Sequence, residues 1–390
     1  MAEAYIAAVA RSAGGRKGGR MAGWHPTDLA GAVIRGLVDR AGVDPALVED
    51  VIVGCACPGG EQGANIGRYA ALAAGFPETV PGTTVDRQCG SSQQALHFAA
   101  ATVMAGLQDV VVAAGVESMT RVPMGLPWTL AAKHGFGTYR SPGLDARFGT
   151  EPFSQFKGAE MLAQKFGFTR EQLDQFALES HQKAAAAAAA GKFADEIIPL
   201  EVTLEDGTTL MHGHDEGVRP DSTLEKIGGV KTLVEGGMIT AANASQICDG
   251  AAAVLVCNEA GLKATGATPL ARIHQMTVLG GDPIIMLDTP IAATQKALAK
   301  AGMSIDDIDL YEVNEAFAPV PMAWLKEIGA DAAKLNIHGG AIALGHPLGA
   351  SGAKIMATLV NSLKQTGGRY GLQTMCEAGG MANVTIVERL

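Results

Sequence analysis

The chain has 390 residues, 47% of them hydrophobic and 18% charged, with a formal net charge of −10. That length and apolar content suffice for a large core spread over two to three domains. The acidic balance argues against a nucleic-acid partner, whose phosphates need a basic surface. No uninterrupted apolar run reaches about 18 residues, so no membrane-spanning helix and no membrane partner are expected. Met1 to Ala10 is too short and lacks the basic residues of a secretory signal, and Glu388-Arg389-Leu390 is no peroxisomal address. Six cysteines without small-domain spacing read as free thiols of a reducing compartment, so a cytoplasmic setting is expected.

In chain order, Arg11, Arg16, Lys17 and Arg20 cluster among glycines without an apolar amphipathic face, which fits a surface loop or subunit contact. Asp28 to Arg40 has helical spacing and leads through Ala41-Gly42-Val43 to a strand, Val48 to Val53. A second strand, Thr83 to Val85, switches to a helix, Gln93 to Ala105, across Asp86-Arg87-Gln88-Cys89-Gly90-Ser91-Ser92, and Val110 to Ala114 forms the next strand. From about Met119 to Gly237 the chain is richer in charge, aromatics and proline. Within that stretch Thr169 caps a helix and Gln172 completes a capping box. Leu173, Phe176 and Ala177 follow at helical period, and Gly191 stops the helix after the alanines Ala184 to Ala190.

The early pattern then returns. Ile291 to Lys300, Ala301-Gly302-Met303 and Ile308 to Val313 repeat helix, turn and strand at an offset of 260 residues, from Ala41 to Ala301. A second echo places Gly349-Ala350-Ser351 before a helix, Ala353 to Leu363, and a strand, Leu372 to Cys376. Alternating helices and short apolar strands predict a layered α/β fold with helices on both sheet faces. Two pseudo-symmetric halves are expected, residues 1–118 with 238–268 and residues 269–390, with 119–237 as an inserted loop domain.

Three glycine-framed settings carry the chemistry. Cys89 stands at the start of a helix, where the macrodipole and free N–H groups favour thiolate. His346, in Gly345-His346-Pro347, is presented from a loop and is suited to take the Cys89 proton. Cys376 opens the turn Cys376-Glu377-Ala378-Gly379-Gly380, and its unperturbed pKa of about 8.5 suits proton transfer at carbon. A thiol exchanges acyl groups with thioesters in a nearly balanced reaction, so the three groups describe carbon–carbon bond chemistry through a thioester. Cys55, Cys57, His212 and His214 lack partners at ligand spacing, and no metal site is expected. Neither a Gly-x-Gly-x-x-Gly turn after a strand nor a Walker lysine motif occurs, which removes nicotinamide and nucleoside-triphosphate chemistry.

Cys89 before Gly-Ser-Ser, Asn314-Glu315-Ala316-Phe317, Gly339 to Pro347 and Cys376 to Gly380 resemble the four signature blocks of the thiolases, in order and spacing. The similarity runs essentially end to end and includes Asn243-Ala244-Ser245 and Asp249 to Ala253. The resemblance implies reversible, CoA-dependent cleavage of a 3-oxoacyl-CoA to acyl-CoA and acetyl-CoA through a thioester on Cys89, in fatty-acid or related β-oxidation. It implies that Asn314 holds a water forming an oxyanion hole with His346, and that Cys376 removes or returns the proton of the acetyl carbon. The N–H groups of Cys89 and Ala378 would form a second oxyanion hole. Family members usually carry glycine at position 378, and alanine would be strained there in a left-handed conformation.

Coenzyme A is then a co-substrate, with no permanently bound cofactor. Ser245 would hydrogen-bond its pantetheine, Ala316 and Phe317 would line the substrate, and Arg219, Lys226 and Lys231 would either meet the phosphates or form a solvated face. A homodimer or homotetramer is expected. Ser154 and Gln155 stand where short-chain acetoacetyl thiolases carry a histidine–methionine pair. The smaller polar residue should open the acyl pocket, which favours a degradative enzyme for chains longer than four carbons, bulky or ring-bearing ones among them, over a biosynthetic acetyl-CoA acetyltransferase. A ketoacyl-synthase-type condensing enzyme has no second catalytic cysteine, and a papain-like hydrolase offers no reason for the internal repeat. A non-catalytic acyl- or lipid-binding relative would have little need for Cys89, Asn314, His346 and Cys376 together.

Overall fold

A computed structural model describes residues 2–390. Nine strands follow one another across a mixed sheet: β1 (Tyr5–Arg11), β2 (Asp50–Gly54), β3 (Gly82–Val85), β4 (Val110–Ser118), β5 (Cys248–Cys257), β6 (Ala271–Gly280), β7 (Leu310–Val313), β8 (Tyr370–Glu377) and β9 (Met381–Arg389). Their order is β7-β8-β9-β6-β1-β5-β4-β2-β3. β2 runs parallel to β3 and β4, and β7 to β8, while β5 and β9 are antiparallel to both of their neighbours. The halves of the sheet meet at β1 and β6, where only Tyr5–Arg272 and Ile6–Ala271 pair.

Eight helices matter to the site: α1 (Pro26–Ala41), α2 (Ile66–Ala73), α3 (Ser91–Met104), α4 (Gln155–Phe166), α5 (Arg170–Ala189), α6 (Thr289–Ala301), α7 (Pro319–Ile328) and α8 (Ser351–Thr366). Every residue of β4 and β5 is buried, because both faces of these strands are covered. Val110, Val112, Ala114 and Val116 pack with α1 and α2, whereas Val111 and Ala113 point the other way, toward α3 and α8. On the second half α6 and α7 cover the outer face, with Ala293, Ala297 and Trp324 against Tyr311, Val313 and Leu372. α3 and α8 therefore lie in the middle, in a core that draws residues from strands of both halves. They approach backbone to backbone: a Cβ on Gly352 would stand 2.2 Å from the Gln93 nitrogen.

The duplication holds its register at the starts of three elements. Ser91 and Ser351 open α3 and α8, Val110 and Tyr370 open β4 and β8, and Asp50 and Leu310 open β2 and β7, each pair 260 residues apart. The second copy of β3 is reduced to a single parallel bridge between Tyr311 and Leu335. Between β4 and β5 the chain leaves the sheet for residues 119–247, whereas β8 and β9 are joined by Ala378-Gly379-Gly380 alone. The excursion contains α4 and α5. On α5 the Thr169–Gln172 capping box forms in both directions, and Gly191 follows the helix end with φ +67°. The alanine run has a packing role, since Ala184 and Ala187 face Ala343 and Leu344, and a Cβ on Gly339 would lie 2.8 Å from the Ala184 methyl. Among the described residues no helix is long and apolar enough to cross a membrane.

Candidate active site

The segment Gly340 to Pro347 makes one helical turn, Ala341–Leu344, then bends at Gly345 with φ +81°. Gly345 has no room for a side chain, because a Cβ would meet Cys248 Sγ at 2.6 Å. Lys354 of α8 donates to the Leu344 and Gly345 carbonyls, and the Gln246 carbonyl accepts the His346 N–H at 3.1 Å. Beneath the bend lies a buried ionic group: Arg11 pairs with Glu196 at 2.6 Å and Asp215 at 2.8 Å, and Lys354 stands 3.8 Å from Asp215. His346 is thereby held with 4% of its surface exposed. Ser351 Oγ donates to the Pro347 carbonyl at 2.9 Å, so it accepts from His346 Nδ1 at 2.5 Å. This assigns the ring hydrogen to Nδ1 and a lone pair to Nε2. Burial, and then the charge of Lys354, bring the His346 pKa down to about 3, so the ring is neutral.

Asn314 follows β7 and points Nδ2 at His346 Nε2, 3.4 Å away, while its Oδ1 is buried without a protein partner. The next residue ties the site together. Glu315 accepts from Ser180 Oγ at 2.6 Å, the Ile342 N–H at 3.1 Å and Asn336 Nδ2 at 2.9 Å. Gly340 leans on it, since a Cβ there would be 2.2 Å from the carboxyl carbon. Beyond Glu315, the Ala316 carbonyl accepts the Ser245 N–H at 2.9 Å, Phe317 bridges Ala244, and the Asn243 carbonyl accepts the Ala318 N–H at 2.9 Å. Asn243-Ala244-Ser245 is thus laid along Ala316-Phe317-Ala318. Sequence reasoning missed the roles of Ser351, Glu315 and Ser180; their partners lie in other segments, and only the positions of Ser351 and Glu315 inside glycine-framed blocks hinted at them.

Cys89 lies in a tight turn after Gln88, whose φ is +50°, and immediately before Gly90, which caps α3. The helix start was expected to favour thiolate. Burial outweighs it: Cys89 is 7% exposed, and desolvation together with the Glu377 carboxyl pushes the thiol up to about 12, against the N–H groups of Ala378 and of Cys89 itself. Cys376, at the end of β8 and 1% exposed, is likewise raised well above its ordinary value, first by burial and then by Cys89 and Glu377. Both sulfurs rest as thiols. The left-handed conformations of the following turn fall on Gly379 (φ +84°) and Gly380 (φ +76°), so Ala378 is spared the strain that alanine would suffer there.

Two clefts open beside these groups. Arg219 and Lys226 line one of about 440 Å³ with His181, Ser222, Gln246 and Ile342; Lys231 lies outside its walls. Gln246, next to the half-buried Ser245, connects this cleft to His346. The other, about 570 Å³, is walled by Arg147, Phe148, Phe153 and Ile284 and ends at Gly379 of the Cys376 turn. Ser154 and Gln155 line neither. The Ser154 hydroxyl caps α4 by accepting the Lys157 N–H at 3.4 Å, and Gln155 Nε2 is 3.7 Å from Met124 Sδ. Their neighbour Phe156 sets its ring edge-on to Phe317, with centroids 5.8 Å apart.

The thiolase N-terminal domain model matches residues 4–260 and the thiolase C-terminal domain model residues 267–389. A steroid 3-ketoacyl-CoA thiolase of Mycobacterium tuberculosis is 53% identical over 392 residues, covering 100% of this chain and 95% of its own. A 3-ketoacyl-CoA thiolase of Saccharophagus degradans is 44% identical over 93% of this chain and 92% of its own. A β-ketoadipyl-CoA thiolase of Escherichia coli is 41% identical over 100% of both chains. The doubled fold, the signature blocks and these full-length similarities agree: the chain belongs to the thiolase family and is an acyltransferase.

Proposed function

We propose that Cys89, His346, Asn314 and Cys376 carry the thiolase reaction and that the enzyme acts on bulky or ring-bearing 3-oxoacyl-CoA thioesters. The observation that carries the assignment of roles is the hydrogen-bond chain Pro347–Ser351–His346–Asn314, which leaves a neutral imidazole with its Nε2 lone pair on the side of Asn314. As Cys89 attacks the 3-oxo carbon, its proton passes to Nε2, so no free thiolate has to form first. The backbone N–H groups of Cys89 and Ala378 meet the oxyanion that develops. Cleavage of the bond between C2 and C3 leaves the shortened acyl group on Cys89 and an acetyl-CoA enolate, which Cys376 protonates at carbon. Asn314 and His346 stabilise the enolate oxygen, Asn314 through a water bound at its Oδ1. The thiol of coenzyme A then takes the acyl group from Cys89, giving its proton to the Cys376 thiolate, while the proton held by His346 returns to Cys89.

The cleft lined by Arg219 and Lys226 fits the phosphates and pantetheine of coenzyme A, and Ser245, next to Gln246 of its wall and hydrogen-bonded to Ala316, supports Ser245, Ala316 and Phe317 as contacts of the substrate. The second cleft ends at Gly379 and has aromatic walls at Phe148 and Phe153, which suits a broad apolar acyl group; the steroid thiolase among the relatives supports the same class. Ser154 and Gln155 would act on that cleft only through the start of α4. The working units are residues 1–118 with 238–268, residues 269–390, and the insertion 119–237. The free edge of β3 supports a homo-oligomer, and six free cysteines support a cytoplasmic setting.

Acetyl-CoA should label the protein at Cys89, as read by peptide mass spectrometry, and Cys376→Ala should keep acyl exchange while losing carbon–carbon cleavage. The kcat/KM should rise from acetoacetyl-CoA to a ring-bearing 3-oxoacyl-CoA. Acetyl found on another residue, or equal loss of both half-reactions in a folded Cys376→Ala, would overturn the roles; a preference for acetoacetyl-CoA would overturn the substrate class.

A further inference from the structure

Glu377 follows Cys376 directly, at the end of β8, and is 0% exposed. Its environment differs from that of its duplicate. Glu117, the residue 260 positions earlier on β4, is equally buried but accepts from the N–H groups of Ala56 (2.8 Å), Cys57 (3.1 Å) and Gly349 (2.8 Å) and from Gln62 Nε2 (2.6 Å). Among the described residues neither oxygen of Glu377 has a hydrogen-bond partner. The carboxyl is pressed against the nucleophile's own turn: a Cβ on Gly90 would stand 1.9 Å from Glu377 Oε1. A carboxylate stripped of water and of donors is a costly ion, whereas the neutral acid is tolerated.

The groups that face it are few. Arg87 and Cys89 lie on the turn before α3, and Cys376 lies on its own strand. Arg87 makes no ion pair with it among the described residues; Nη1 reaches Met381 Sδ at 3.7 Å and Nε is unpartnered. From β9 comes the backbone N–H of Asn383, whose side-chain amide meets His97 of α3; burial and then Arg87 bring the His97 pKa down to about 3, so it adds no charge. Glu377 therefore lies near two buried thiols, its charge countered by Arg87 and the backbone N–H of Asn383, neither of which forms a full hydrogen bond to it among the described residues.

Building on Cys89 and Cys376 as the reacting thiols, we propose that Glu377 is a positioning residue that governs their ionisation, remaining a neutral acid in the working enzyme and opposing thiolate formation once it loses its proton. Desolvation, only partly offset by Arg87 and the backbone N–H of Asn383, raises its pKa to about 8, so the change of charge falls within the range of ordinary assays. Below that pH the acid is neutral and adds no repulsion. Above it the carboxylate raises both thiols further, so the gain in thiolate expected at alkaline pH is held back.

The test is the rate of Cys89 alkylation by iodoacetamide against pH, followed by peptide mass spectrometry, in wild type and in Glu377→Gln. Alkylation reports thiol ionisation without turnover, so it remains informative if acetyl labelling of Cys89 fails and the catalytic assignment falls. The wild-type curve should bend to a shallower slope near pH 8. The glutamine variant, neutral throughout, should lack the bend and react about tenfold faster at alkaline pH, the equivalent of one pKa unit. Parallel curves for the two proteins would overturn the proposal. If the variant does not fold, the wild-type curve decides alone: a single titration without the bend overturns it.

Discussion

Ser351 uses its one hydrogen on the Pro347 carbonyl, and the consequence is felt at His346, which must supply the hydrogen between them. Ser351→Ala should free the tautomer and lower kcat by about tenfold to a hundredfold, a part of the general acid–base contribution, with KM little changed; Ser351→Thr should restore it. Steady-state kinetics of the two variants checks this. Because the His346 pKa is brought down to about 3, its neutral form persists down to that pH. Between about pH 5 and 7, kcat/KM should therefore show no limb near 6.5, where an unperturbed imidazole titrates, and a measured limb there would contradict the buried neutral ring. Cys89, His346 and Cys376 stood out in the sequence because glycines frame them and a reactive group needs backbone room. Glu315 did not, because its work is done through Ile342, Asn336 and Ser180, contacts that only the folded chain creates.

At the scale of elements, end signals were easier to read than pairings. The Thr169–Gln172 box and Gly191 bound α5 as local chemistry requires, and Thr169→Ala should destabilise the protein by about 1 kcal/mol in urea unfolding. β4 instead runs four residues beyond the apolar stretch ending at Ala114. Gly115, Glu117 and Ser118 have weak strand propensity, yet they pair with Ala252, Gly250 and Asp249 of β5, so tertiary pairing overrides propensity here. The contact of α3 with α8 was likewise invisible, as it depends on Gly352 passing Gln93. Gly352→Ala should cost about 1–3 kcal/mol by overpacking. It should also lower kcat at temperatures where the variant is folded, because Cys89 precedes one helix and His346 the other. Unfolding curves and single-turnover rates on the same preparation separate the two effects.

Across the whole molecule, the 260-residue offset was legible because turn and strand patterns survive duplication, whereas the remnant of the second β3, one bridge at Leu335, left no pattern to read. The shared core around α3 and α8 makes the halves interdependent. Thermal loss of activity and loss of helical circular dichroism should accordingly coincide at one midpoint, and two separated transitions would show halves that melt alone.

The same arrangement defines where the chain can be divided. Between β5 and β6, after Cys257 and before Ala271, only a short helix and its flanking turns join the halves. A break there would leave Cys89 on one polypeptide and Asn314, His346 and Cys376 on the other, each carrying a naked face of a central helix. Neither piece could turn over substrate, yet each presents the surface its counterpart buries, and co-expression should return activity in proportion to reunion. The enzyme is in this sense a ready-made split reporter, its signal generated only where two fragments find each other.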